Sequence, residues 1–125
     1  MKPAITLHLN GELIDVPLNN IIRIEADHNY TQFYLIDRNK LRYAHTLKYL
    51  ETKFIHTSFI RVHDSHFINK KHIRQYDYYN DKNFIQMMDG IIVPIARTKL
   101  NFFLKKLKCK RIFFQRENCH IVNLA

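Results

Sequence analysis

The sequence predicts a mainly β domain, built from small antiparallel sheets with two short helices. The 125 residues suffice for one compact domain, and their 46% hydrophobic content can supply one core, which argues against disorder. Short runs in which apolar and polar residues alternate recur along most of the chain, and polar turn residues separate them. Only two stretches follow a helical period instead.

A β-hairpin opens the predicted domain. Residues 5–9 alternate apolar and polar side chains, Asn10-Gly11 is a strong hairpin turn signal, and residues 13–16 provide the returning strand. Later strands follow from the same alternation between turn residues. They are expected at residues 21–25, 31–36, 40–44, 73–79, 84–88 and 91–96, and a terminal hairpin is expected at 112–114 and 121–124.

The two predicted helices rest on a period of three to four residues. Thr46 can cap the first helix, and apolar residues recur at helical spacing from there to Phe54, which predicts a helix over 46–54. The second begins at Thr98 and has the same apolar spacing through Leu107. Lysines crowd its C-terminal end, where the helix dipole favours cations.

The charge distribution favours an anionic partner. The formal net charge is +9 and the isoelectric point is near 9.7. Eight basic residues and no acidic residue lie between Arg97 and Arg116, so the excess is local. A solvated helix face is the alternative explanation of such a run.

Several classes of protein are not expected. Cys109 and Cys119 match no paired metal or redox spacing, so we predict reduced structural thiols. No apolar run reaches the ~18 residues of a membrane span, and the N-terminus lacks a signal-peptide pattern. The chain is therefore expected to be cytoplasmic, without a membrane partner.

Three polar connections between predicted elements carry the functional signal. Residues 61–65, Arg-Val-His-Asp-Ser, lie between two short apolar segments, which predicts a tight turn held by strand on both sides. Residues 27–30 connect two strands, and residues 97–99 follow another. All three are rich in groups that donate to phosphates or base edges. Their convergence on one chemistry favours nucleic-acid binding.

Other interpretations of these residues are weaker. A metal site lacks paired Cys/His spacing, and His63 and His66 would point to opposite faces of an extended segment. A hydrolase could use His63 as a base oriented by Asp64 or Asp27, but no clear nucleophile, glycine-rich phosphate loop or paired carboxylate site accompanies it. The tyrosines of residues 76–79 could stack on bases, although alternation between core and surface explains them better. We therefore expect no enzyme activity, cofactor, metal or small-molecule substrate.

Motifs in a fixed order support a more specific interpretation. The most specific is Phe59-Ile60-Arg61-Val62-His63-x-Ser65, followed by Asn69 and Ile73. Residues 21–26, 29–30, 46–51 and 92–97 supply the other segments. Over residues 5–107 the chain resembles the LytTR-type DNA-binding domain of bacterial transcription regulators.

The resemblance implies an elongated fold whose loops, instead of a recognition helix, enter successive major grooves of double-stranded DNA. Arg97 is the best base-reading candidate, because a guanidinium can make two bonds to guanine O6 and N7. The implied base-contact residues are Arg97, Asn29, His28 and Asp64, the implied phosphate contacts are Tyr30, Ser65, Lys70, Lys71 and Lys99, and Arg61, His63 and Asn69 would hold the middle loop.

Two positions depart from the family pattern. Asp64 stands where Arg, Lys or Asn is usual, and a carboxylate repels phosphates unless it accepts from a cytosine amino group or pairs with Arg61. His28 stands where glycine is common, so the first loop is expected to differ in conformation. Asp64 motivates the alternative function, a protein-interaction module on the same fold with weak or lost DNA binding.

The expected organisation is a DNA-binding domain at residues 1–107 and a basic C-terminal extension at 108–125. The extension could add phosphate contacts or a dimer strand, and a homodimer on repeated half-sites stays open. Most relatives carry a receiver domain or a membrane segment ahead of this module. If Met1 is the natural start, the resemblance implies a stand-alone regulator; otherwise a sensing half lies outside this sequence.

Overall fold

Residues 3–107, 113–114 and 118–121 are described by the computed structural model. They form three antiparallel sheets and two α-helices, which confirms the mainly β class. The strands are β1 (Ala4–Leu9), β2 (Glu12–Pro17), β3 (Ile21–Asp27), β4 (Tyr30–Leu35), β5 (Lys40–Tyr43), β6 (Phe59–His63), β7 (His66–Asn69), β8 (Ile73–Tyr79), β9 (Lys82–Met87), β10 (Ile92–Pro94), β11 (Phe113–Phe114) and β12 (Asn118–Ile121). The helices are α1 (Leu47–Lys53) and α2 (Leu100–Leu107).

The opening hairpin and the first helix form where the local sequence signals predict them. β1 and β2 pair around Asn10-Gly11, whose φ angles of 51° and 81° suit a tight hairpin turn. The Thr46 hydroxyl accepts a hydrogen bond from the backbone N–H of Tyr49 at 3.2 Å, as an N-cap residue does. The opening hairpin and the first helix are confirmed.

The region around β10 differs from the prediction. The predicted strand 91–96 shortens to three residues, because the Ala96 N–H donates to Val62 O at 2.8 Å and leaves the β9 ladder. Residues 97–99 then form a 3₁₀ turn, so the second helix begins at Leu100 instead of Thr98. The chain thus reaches the end of β6 before α2 begins.

The strands form one separate hairpin and two five-stranded sheets. β1 and β2 make the hairpin, the central sheet has the order β5-β4-β3-β7-β6, and the second sheet has the order β10-β9-β8-β12-β11. A terminal hairpin is present as β11 and β12, with its second strand earlier than predicted; residues 112 and 122–124 lie outside the described part. The division of the chain at residue 107 stays a prediction.

The central sheet is buried on both faces. One face packs against α1 and the opening hairpin, and Phe67 lies on this side. The next residue, Ile68, faces the second sheet and α2. The first cluster includes Leu7, Ile21, Ile24, Phe33, Leu50, Phe54 and Phe59, and the second includes Ile22, Ile60, Val62, Tyr76, Ile85, Met87, Val93 and Phe103. Apolar residues on both sides of the same strands therefore join the layers into one domain.

A β-bulge in β6 positions the polar end of this sheet. Arg61 pairs with Phe67 and His63 pairs with His66, so Val62 is an extra residue in its strand. The two histidine rings face each other across the Asp64-Ser65 turn, with centroids 5.4 Å apart. The segment is not extended, because the chain reverses between the two histidines, so their side chains do not point to opposite faces.

Asn69 ties the β6–β7 hairpin to the start of β3. Its side chain is fully buried, and its amide nitrogen donates to Leu18 O at 3.2 Å and to Ile21 O at 2.9 Å. Its oxygen accepts from the Ser58 hydroxyl at 2.6 Å and from the Lys71 N–H at 3.1 Å. A side chain with four internal hydrogen bonds is structural and does not reach an external ligand.

We predict that Asn69→Ala lowers the free energy of unfolding by about 3 kcal/mol, because two buried carbonyl oxygens lose their donor. Urea denaturation monitored by circular dichroism measures this change. The control is Asn29→Ala, which removes the same amide from an exposed turn and should change stability by less than about 0.5 kcal/mol. Similar losses in both variants would contradict the structural role.

Candidate nucleic-acid interface

Three polar turns lie side by side at one edge of the molecule. Turn 1 comprises residues 27–30, turn 2 residues 63–66 and turn 3 residues 96–99. The Ala26 N–H donates to Ser65 O at 2.9 Å, which connects turn 1 to turn 2. The Ala96 N–H donates to Val62 O at 2.8 Å, which connects turn 3 to the same strand end. We call the three turns together the turn edge.

Turn 1 presents three exposed side chains, His28, Asn29 and Tyr30. His28 has a φ of 58°, in the left-handed region that glycine favours, so the side chain is accommodated within a glycine-type conformation. The Arg42 guanidinium lies over the Tyr30 ring, 4.2 Å from its centroid, and 3.9 Å from the Asp27 carboxylate. Turn 1 is therefore flanked by a cation from β5.

Arg61 holds turn 2 through backbone oxygens. Its Nε donates to His63 O at 2.8 Å and its Nη2 to Asp64 O at 2.6 Å, while Nη1 pairs with Glu51 of α1. The guanidinium does not pair with the Asp64 carboxylate, and no other described residue forms an ion pair with that group. The exposed Asp64 carboxylate therefore stays available to a ligand.

His63 adds a second support within turn 2. Its Nδ1 accepts from the Ser65 N–H at 3.0 Å, so the neutral ring carries its proton on Nε2. The Ser65 carbonyl accepts the hydrogen bond from the Ala26 N–H beside turn 1. The hydroxyl is therefore the group of Ser65 that can contact a ligand. Turn 2 is thus held by the Arg61 guanidinium and the His63 imidazole, both of which bond to its backbone.

Arg97 of turn 3 is exposed, and within the described ranges its guanidinium has no hydrogen-bond or ion-pair partner, although its carbonyl accepts from the Leu100 N–H. His63 and Arg97 line a common groove of about 250 Å³, together with Lys82 and Asn83. Lys99, in the same turn, is half-buried. An unpaired guanidinium beside an imidazole N–H suits a ligand that offers several acceptor atoms.

The predicted site residues do not all meet at the turn edge. Lys70 and Lys71 follow Asn69 at the opposite end of β7, which at about 3.3 Å per residue is roughly 13 Å away. The Lys70 ammonium donates to Lys106 O at 3.2 Å, near the end of α2. Lys71 lies 3.5 Å from the Asn19 side chain. These two lysines are separate from the three turns.

Three residues that sequence reasoning missed stand at or behind the turn edge: Arg42, Glu51 and Lys82. Pairing the predicted strands 31–36 and 40–44 about their turn would have placed Arg42 near Tyr30. Glu51 belongs to the motif segment 46–51, but the sequence does not indicate its contact with Arg61, and no signal exists for Lys82, because both positions depend on contacts between different elements.

His66, the last residue of turn 2, is half-buried. Within the described part of the chain, its Nδ1 is buried without a hydrogen-bond partner. Burial lowers the pKa of His66 below 6.5; Glu25 opposes this shift, whereas His63 and Arg23 add to it. The neutral ring is therefore the favoured form in the folded protein.

Two further features are absent from residues 3–107, 113–114 and 118–121. No group of three or more His, Cys, Asp or Glu side chains there could hold a metal ion. No helix in these ranges is both long and apolar enough to cross a membrane.

Comparison with known proteins identifies the family. The family model of the LytTr DNA-binding domain matches residues 11–108. The fold is similar to a solved LytTr DNA-binding domain from Bacillus cereus, with a TM-score of 0.69 and 26% identity, covering 86% of this chain and 98% of that one. Among curated proteins none matches the sequence. The chain belongs to the LytTR family of DNA-binding domains, which confirms the resemblance.

We predict that acid destabilises this protein partly through His66. Its pKa is lowered on folding, so the unfolded chain binds the proton more readily, and stability present above about pH 6.5 is lost as the pH falls towards the folded pKa. The unfolding free energy should decrease between about pH 7.5 and 5.5, and His66→Gln should reduce that decrease.

Urea denaturation across this pH range is the measurement. His8→Gln, at an exposed position of β1, is the matched control and should retain the wild-type slope. An unchanged slope in His66→Gln would show that burial of this ring does not contribute to the pH dependence.

Proposed function

We propose that the chain binds double-stranded DNA sequence-specifically, by inserting the turn edge into the major groove, and that it regulates transcription without catalysing a reaction. Membership of a DNA-binding family supports the general activity. The specific observation behind the proposal is the alignment of three polar turns, connected by two backbone hydrogen bonds. Such an edge is preorganised, so little conformational entropy is lost on binding.

Base reading is assigned to the exposed residues of the three turns. The Arg97 guanidinium suits guanine O6 and N7, and the Asn29 amide suits adenine N6 and N7. His28 extends from the same turn as Asn29. Asp64 can accept from a cytosine amino group, because its carboxylate is exposed and Arg61 is engaged elsewhere.

Phosphate contacts are assigned to groups that flank these turns. Tyr30, Ser65 and Lys99 offer a phenol, a hydroxyl and an ammonium, and Arg42 adds a guanidinium beside Tyr30. The neutral His63 ring can donate through Nε2. Arg61 and His63 would then act as supports of turn 2. Lys70 and Lys71 lie away from this edge, so they could meet only phosphates outside the central contact.

The wider setting follows from this activity. A transcription regulator of this type would act in the cytoplasm of a bacterial cell, where the DNA is. Two copies on repeated half-sites would double the contact area, and the basic residues of the extension at 108–125 would add phosphate contacts or a dimer strand.

We predict strongly salt-dependent DNA binding. If the interface neutralises ~6 phosphates, log affinity should fall with log salt at a slope of about −5, measured by mobility shift on any duplex. Arg42→Ala should reduce the slope by about 1. The matched variant Arg38→Ala, at the opposite end of β4, should leave it unchanged. Salt-insensitive or absent binding would contradict duplex binding itself.

Arg97→Ala should relax sequence preference at one base pair and cost about 1–3 kcal/mol on the preferred duplex. That duplex is first obtained by selecting bound sequences from random DNA. Lys99→Ala is the comparison, because loss of a phosphate contact weakens binding to all sequences alike. Equal losses on preferred and random DNA for Arg97→Ala would reassign it to the phosphate backbone.

The second candidate function is a protein-interaction module with weak or lost DNA binding, and the exposed Asp64 carboxylate favours it. Asp64→Arg distinguishes the two. If Asp64 reads a base, the variant changes the selected sequence while the wild type already binds tightly. If the wild type binds no duplex and the variant gains strong affinity, the interaction module is the better description.

A further inference from the structure

A second surface lies at the opposite end of β4 from turn 1. The β4–β5 turn, residues 36–39, and the β9–β10 turn, residues 88–91, border a cleft of about 580 Å³. The six residues of β4 separate it from the turn edge by roughly 20 Å. We call it the distal cleft.

The floor of the distal cleft is held by a buried cation. Arg23 is only 4% exposed, its Nε donates to the Asp89 carboxylate at 2.9 Å, and its guanidinium lies 3.7 Å from the Tyr34 ring centroid. Burial, followed by the Glu25 carboxylate, raises the pKa of Tyr34, whose hydroxyl donates to Glu25 at 3.3 Å. Because Asp89 belongs to the β9–β10 turn, this network connects both sheets beneath the cleft.

Large apolar side chains around the cleft remain uncovered. Ile36 is 52% exposed, Met88 51% and Ile91 45%. They come from two turns that line the same cleft, and the Arg23–Asp89 pair joins the second of these turns to β3, so the three side chains border one cleft between two sheets. Contiguous exposed apolar surface of this kind marks a protein-interaction site more often than isolated residues do.

The rim of the cleft is positively charged. Arg38 and Lys40 line it and are exposed, and neither forms an ion pair in the described part of the chain. The Asp89 carboxylate is engaged by Arg23 and by the Ile91 N–H at 3.2 Å. The nearby Asp37 carboxylate accepts from the backbone and side chain of Asn39 at 2.9 Å. Asp37 keeps its negative charge but does not line the cleft, so the charged side chains that line the cleft without an ion-pair partner are cationic.

We propose that the distal cleft binds a segment of a partner protein in which carboxylates flank large apolar side chains. The apolar side chains would cover Ile36, Met88 and Ile91, and the carboxylates would pair with Arg38 and Lys40. The cleft and the turn edge lie at opposite ends of β4, so the partner would leave the turn edge free for duplex DNA, and only this point rests on the proposed function. This proposal does not depend on the DNA-binding assignment.

Two other occupants fit less well. A second copy would bring two cationic rims together in a chain whose net charge is already +9. DNA would match the cations but would leave the apolar side chains against a charged backbone. A segment that carries both carboxylates and large apolar side chains matches the cationic rim and the apolar patch together.

The test uses a random library of twelve-residue peptides displayed on phage, selected against the folded full chain. The enriched peptides should combine Asp or Glu with Leu, Ile or Phe. A labelled synthetic copy, measured by fluorescence polarisation, should bind Ile36→Ser about tenfold more weakly than wild type. Ile55→Ser replaces an isoleucine that is 62% exposed after α1, and it should bind like wild type.

Thermal unfolding of both variants checks that each one folds. The proposal is overturned if no acidic and apolar peptide is enriched, if Ile36→Ser binds the peptide as tightly as wild type, or if random-sequence duplex DNA displaces the peptide. Sedimentation of the wild type and of Ile36→Ser is a further test. If the wild type is a dimer and Ile36→Ser dissociates it, the patch serves self-association and the proposal is overturned. The salt dependence of DNA binding is measured separately, so failure of the peptide-binding proposal can be distinguished from failure of the DNA-binding proposal.

Discussion

Burial of the central sheet on both faces is the constraint on which the rest of this structure depends. In β7, Phe67 packs towards α1 and Ile68 packs towards the second sheet. The strand therefore cannot slip by one residue without exchanging its two buried surfaces. Since β3, β6 and β7 end at the turn edge, the same packing sets the position of the turns. A rigid core thus supplies the stiffness that exposed loops lack.

The turn edge joins rigid support with exposed side chains to which we assign recognition. Arg61 illustrates the support, because it uses its charge on Glu51 and on two backbone oxygens inside the protein. Arg97 illustrates the other role, since its guanidinium is exposed. The two arginines therefore differ in their partners, which depend on the elements that surround them. Asp64 combines both features, because its carbonyl accepts from Arg61 and its carboxylate is exposed.

Sequence patterns predicted the elements well where the signals are local. Asn10-Gly11, the Thr46 cap and the alternation in β8 concern neighbouring residues, whose conformations follow from short-range sterics and hydrogen bonds. The site was predictable only in part, since three polar turns were recognisable as such. Their alignment depends on the register of β3 against β7 and on the Ala96–Val62 bond. The pairing of β4 with β5 brings Arg42 to turn 1, whereas Lys70 follows the far end of β7.

The sequence by itself determined the mainly β class, the family motifs, the basic charge and the residue types available for contacts. Tertiary structure alone decided that Asn69 is buried, that Arg61 bonds backbone oxygens and that Arg23 closes the floor of a second cleft. The reason is that partner choice for a polar side chain depends on which elements pack beside it. Composition and periodicity describe each segment, whereas packing brings together residues that are far apart along the chain.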